Sequence, residues 1–157
     1  MNPQGLLIVD EDQVTRRQMA EMFVAVGYDV KAPASMAEAL CGILKKTVNV
    51  VLLSTRFDEL LATELIPLLK QCNRDLRIIL VASELPLALL RKARHAGIFY
   101  HALKPVQPED AEELRQAVRC AFERAGHHDE KQHYRSDMPA VDQTAPGSTE
   151  NRERRLS

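Results

Sequence analysis

The sequence predicts an α/β fold in which a five-stranded parallel sheet is covered by helices on both faces. Two observations carry this reading. Short apolar runs alternate five times with amphipathic stretches between Gly5 and Ala125, the pattern of βαβ units joined by right-handed crossovers. The runs are also continuous in apolarity, as in Val50-Val51-Leu52-Leu53, which suits strands buried on both sides.

Leu6 to Asp10 reads as the first strand. Met19, Met22, Phe23 and Val26 then recur at i, i+3, i+4 and i+7, the stripe of an amphipathic helix, and Gly27 follows as a stop signal. Tyr28 to Ala32 forms a short second strand. Ser35 with Glu38 is a capping box opening a helix with Met36, Ala39, Leu40, Ile43 and Leu44 on one face. Val48 to Leu53, rich in β-branched residues, is the third and central strand. The next helix carries Leu61, Leu65, Leu68 and Leu69. Pro67 falls inside that pattern, removing a donor and crowding the Thr63 carbonyl, so a kink or a late start is expected. Arg77 to Ala82 is the fourth strand, and Pro86 suits the first turn of a helix that ends at Gly97. Ile98 to Leu103 is the fifth strand. Pro108 to Ala125 is the last helix, with Leu114, Val118, Ala121 and Phe122 facing inward.

Composition narrows the function. An apolar fraction of 45% in 157 residues supports one packed domain plus a tail. With 21 basic and 22 acidic residues the net charge is -1, so no global basic field invites nucleic acid. The absence of Trp and the scarcity of aromatics imply an aliphatic core. Cys41, Cys72 and Cys120 are odd in number and lack CxxC spacing, which reads as reduced thiols serving as small buried hydrophobes in a cytoplasmic protein. No signal-peptide pattern or membrane-length apolar run is present. Two regions follow: a folded domain over residues 5–125 and a polar tail over 126–157, too poor in apolar residues to offset its ordering entropy and therefore expected to be disordered.

The chemistry lies where the strands end. The first apolar run ends in Asp10-Glu11-Asp12, the third in Ser54 and the fifth in Lys104-Pro105. In a parallel α/β sheet the carboxyl ends of the strands line the ligand crevice, which brings two acids, a hydroxyl and a lysine together. This collinear set resembles the receiver domain of bacterial response regulators, of which CheY is the familiar example. The resemblance covers about residues 5 to 125 and implies a flavodoxin-like, CheY-like three-layer α/β/α sheet of order 2-1-3-4-5. It also implies that Asp10 and Glu11 bind Mg²⁺, with the backbone carbonyl of Arg56 as a further ligand, and that Lys104 contacts a phosphoryl group; Lys104-Pro105 matches a bond that is usually cis in the family, while the sequence leaves cis and trans both open. Read without the resemblance, Asp10 and Glu11 are carboxylates favoured near the positive end of a helix dipole; Asp12 suits the N-cap.

Three positions depart from the family pattern. Ser54 stands where the family has its phosphate-accepting aspartate. A neutral hydroxyl with no paired base cannot form the reactive acyl phosphate that a carboxylate forms, and losing a charge weakens any Mg²⁺ site. Ala82 replaces the switch Thr or Ser, and Ser83 points to the opposite face. His101 replaces the switch aromatic. The pattern is that of a pseudo-receiver: a stand-alone two-component or phosphorelay signalling protein, not an enzyme, acting by protein contacts. Its docking surface is expected over roughly Leu85 to Ala125, including Leu89, Leu90, Arg91, Arg94, His95 and Tyr100, with a homodimer permitted and no contact with nucleic acid or membrane. Two alternatives stand beside it. Asp58 or Glu59 could serve as a substitute acceptor, or the crevice could hold a small molecule. The glycine patterns of nucleotide loops and the GxSxG context of a serine nucleophile are absent.

Overall fold

The computed structural model of the protein describes residues 4–126. Except for Gly126, the expected tail lies outside the described residues. In chain order the elements are β1 (Gly5–Val9), α1 (Gln13–Val26), β2 (Asp29–Lys31), α2 (Met36–Leu44), β3 (Val50–Leu53), β4 (Arg56–Phe57), β5 (Leu60–Leu61), α3 (Ala62–Cys72), β6 (Arg77–Ala82), α4 (Leu87–Ala96), β7 (Tyr100–Leu103) and α5 (Pro108–Gly126). Five strands form one parallel sheet of order β2-β1-β3-β6-β7. Counted within that sheet the order is 2-1-3-4-5, the flavodoxin-like, CheY-like arrangement in three layers.

The continuous apolar runs are explained by the two cores. On one face Leu7, Val9, Val51, Leu53, Ile78 and Leu80 meet Ala39 and Ile43 of α2, Leu65, Ile66 and Leu69 of α3, and Ala93 of α4. On the other, Leu6, Ile8, Val50, Leu52, Ile79 and Val81 meet Met19 and Phe23 of α1 and Leu114, Val118 and Phe122 of α5. Successive side chains of one strand thus enter opposite cores, and each fully buried Leu or Ile contributes roughly 1.5–3 kcal/mol of transfer free energy. Helices α1 and α4 stop at Gly27 and Gly97, whose φ of 114° and 110° belong to the left-handed region that glycine enters without steric cost.

Several expectations need correction. The helical stripes are narrower than read: Val26, Leu44, Leu61 and Leu68 are exposed, while Ala62 and Ile66 are buried in α3. Leu61 ends a two-residue strand, and α3 begins immediately after it. Pro67 neither starts nor interrupts α3; it lies inside the helix at an exposed position. The capping box of α2 is shifted. Ser35 Oγ accepts from Glu38 N, but the Glu38 carboxylate reaches back to Ala34 N at 2.9 Å. The Lys104–Pro105 bond is trans, as are all described peptide bonds, and Val106 N donates to Lys104 O at 2.8 Å to close a three-residue turn around the proline. Cys41 and Cys120 are exposed, whereas Cys72 is partly buried and packs against the first core, so of the three only Cys72 serves as a small hydrophobe.

Candidate functional site

Register brings the strand ends together. Val9 pairs with Leu53, and Ser54 N donates to Val9 O at 2.9 Å, which sets Asp10 beside Ser54. Ala82 pairs with Leu103, and Lys104 N donates to Ala82 O at 3.3 Å, so Lys104 leaves the sheet on the same rim.

Asp10 and Ser54 are the two buried polar side chains among the described residues. Asp10 Oδ1 accepts from Asp12 N at 3.0 Å. Its Oδ2 has no hydrogen-bond partner and faces Lys104 Nζ at 3.6 Å. The guanidinium of Arg16 donates to the Asp10 carbonyl at 2.9 Å and holds the loop from above. Glu11 is exposed. Asp12 caps α1, accepting from Val14 N and from the Thr15 hydroxyl. The Thr15 bond is the main reason its carboxyl titrates below the ordinary value of 3.8.

Ser54 does not present a free hydroxyl. Its Oγ donates to the Arg56 carbonyl at 2.8 Å, the same carbonyl the resemblance assigns to the metal. An aspartate there would accept and could not make this bond. The residues suit a hard divalent cation in part. Asp10 Oδ2 is an unpartnered buried oxygen, and the exposed Glu11 carboxylate and the second lone pair of Arg56 O are the remaining candidate donors. The third carboxylate is missing, and among the described residues no group of three or more His, Cys, Asp or Glu side chains is placed to hold a metal ion. When bound, such a cation would supply positive charge next to Asp10.

Two elements had no clear signal in the sequence, the first of them in the loop that follows Ser54. Arg56–Phe57 and Leu60–Leu61 pair antiparallel around a two-residue turn in which Asp58 and Glu59 take φ of 53° and 65°. That is the geometry of a type I′ hairpin, but made without the Asn-Gly that would announce it. Phe57 anchors the hairpin in the core, 1% exposed. Asp58 Oδ2 accepts from Met36 N at 3.0 Å, so it caps α2 across 22 residues. The second element is a bond between Tyr100 and Glu113 at 2.7 Å, which pushes the phenol pKa up.

At the switch positions Ala82 is buried, Ser83 is exposed and does not replace it, and His101 is half-buried with its Nε2 buried and unpartnered.

A doubly wound parallel sheet with Asp10, Ser54 and Lys104 at the carboxyl ends of its strands has the arrangement of a receiver-type module. Known proteins agree. The family model for the response regulator receiver domain matches residues 6–119, and the chain belongs to that family, whose members are signalling modules of two-component systems. It is 26% identical over 119 residues to the sporulation initiation phosphotransferase F of Bacillus subtilis (strain 168), an alignment covering 76% of this chain and 94% of that protein. Among solved structures, the fold is shared with a receiver domain of an HD domain-containing protein from Pseudomonas fluorescens Pf-5 (TM-score 0.73, 21% identity, 83% of this chain and 94% of that one). It is shared too with a CheY-like receiver domain from Methanospirillum hungatei JF-1 (TM-score 0.66, 23% identity, 77% and 98%).

Proposed function

We propose that the chain is a pseudo-receiver: it signals through protein contacts and takes no phosphate at position 54. The observation that carries this reading is the buried Ser54 hydroxyl, bound to the Arg56 carbonyl at 2.8 Å where the family has its acceptor carboxylate. Ala82 supports it, because a methyl group cannot hydrogen-bond a phosphoryl oxygen. Mg²⁺ binds weakly at Asp10, Glu11 and the Arg56 carbonyl, with Lys104 as the neighbouring cation. The partner docks over Leu85 to Ala125, where Leu87, Tyr100, Leu103 and Val106 are exposed beside Arg91, Arg94 and His95 of α4. That mixture of apolar and cationic groups suits a modest protein interface, and it leaves room for a homodimer. The segment 126–157 is taken as a tail outside the domain, and the protein as cytoplasmic, where receiver domains typically work. A substitute acceptor is disfavoured, since Asp58 is committed to the Met36 amide. The test is incubation with acetyl phosphate and Mg²⁺, read by intact mass. No labile phosphate is expected on the unmodified chain and some on Ser54→Asp. Labile phosphate on the unmodified chain, mapped to Asp58 or Glu59, would overturn the reading.

A further inference from the structure

A recess of about 250 Å³ opens between the start of α3 and the start of α4. Seven of the eleven residues that line it are Leu, Ala or Pro. Three of these, Ala62, Leu80 and Ala93, belong to the core on the α2, α3 and α4 side of the sheet, and Leu85 packs against that core. Ala62, Leu80 and Ala93 are only 6%, 1% and 1% exposed. The recess is therefore an opening into the aliphatic interior. Such a lining selects the occupant's chemistry. An ion would give up hydration that aliphatic groups cannot replace, whereas a neutral hydrophobe gains by leaving water. Volume sets the size. An apolar cavity of about 150 Å³ takes benzene, and drug-sized ligands need about 300–1,000 Å³, so this recess suits a molecule between the two. We infer that it binds a neutral, largely apolar small molecule of about the size of toluene or indole.

The recess is distinct from the crevice of Asp10, Ser54 and Lys104, none of which lines it. Its lining comes mainly from two stretches of chain: Thr55 and Arg56 through the start of α3, and Glu84 through α4. An occupant therefore touches the segment that follows the acceptor position and the helix that opens the proposed docking surface. Ala82 has no hydroxyl to tie these segments to a phosphoryl group, so an occupant of the recess joins them without one. Binding itself needs no partner and no phosphate, so it goes beyond the pseudo-receiver reading and stands or falls separately from it.

The test is a methyl NMR titration of the full chain with toluene and indole, and with benzoate and benzylammonium as ions of nearly the shape of toluene. Toluene and indole should give saturable shifts at the Leu80, Leu89 and Ala93 methyls, with intermolecular NOEs to the same groups. The two ions should bind at least about tenfold more weakly. Leu89→Asn places an amide on the lining and Thr63→Trp adds bulk to it; both positions are half-buried. Each should weaken toluene about tenfold or more, and a loss in either one, in a chain whose amide spectrum stays folded, supports the inference. Absence of saturable shifts and NOEs at these methyls, an ion binding as tightly as toluene, or both variants binding toluene as the parent does would each overturn it.

Discussion

Replacing Ser54 by aspartate should turn a stable pocket into a strained one that a metal can relieve. Adjacent strands lie about 4.8 Å apart, and β1 and β3 are adjacent with Val9 opposite Leu53. The new carboxylate would thus sit on the order of 5 Å from that of Asp10. At an effective dielectric of about 20, two like charges at that distance repel by about 3 kcal/mol. The substitution also removes the Ser54–Arg56 hydrogen bond, worth about 1 kcal/mol net. Lys104, now 3.6 Å from Asp10 Oδ2, would be shared between two acids and offset part of this. The net cost should be about 2–4 kcal/mol, which for a domain of this size lowers Tm on the order of 10 °C. Thermal melts of both chains in chelator and in millimolar Mg²⁺ measure it. In chelator the variant should melt well below the parent, and Mg²⁺ should raise the variant's Tm much more than the parent's. A variant that melts at or above the parent in chelator, or that gains no more from Mg²⁺ than the parent does, would refute the charge argument.

Other perturbations test the remaining contacts. Lys104→Met removes the cation facing Asp10, whose side chain is 2% exposed; a loss of about 2–4 kcal/mol is expected, toward the lower end because Lys104 itself reaches solvent, and chemical denaturation would measure it. Asp58→Ala should cost about 1–2 kcal/mol by uncapping α2 and leaving a Cβ at positive φ, whereas Asp58→Gly loses the cap but relieves the backbone and should cost less; equal losses would exclude the cap-and-turn account. Phe57→Ala should cost about 3–5 kcal/mol and release the hairpin, visible as loss of amide protection at Leu60 and Leu61. Asp12 titrates below 3.8 chiefly because Thr15 donates to it, so its contribution to α1 is present above that range and is lost as pH falls through its folded-state midpoint. Carboxyl NMR should show Thr15→Val moving that midpoint upward.

Much of this molecule is legible from local signals. The five strands, the stops at Gly27 and Gly97, the inward face of α5 and the cap at Asp12 depend on residues close in sequence, and each appears where apolarity, glycine or a capping side chain put it. The meeting of Asp10, Ser54 and Lys104 was readable too, because a parallel sheet sends the ends of its strands to one rim wherever the connecting helices lie. Side-chain partners were not. Asp58 looked like a spare acid near the crevice, and only the αL turn of the β4–β5 hairpin aims it at the amide of Met36. Ser54 read as a lost nucleophile, whereas the fold turns its hydroxyl onto the carbonyl two residues on. Burial at Leu44, Leu61 and Leu68 followed from which neighbour covers each helix, a matter that periodicity within one helix cannot decide. Periodicity and punctuation act over a few residues and set the elements; hydrogen-bond partners depend on the distance and direction between groups from separate elements, which exist only once the sheet and its helices have packed.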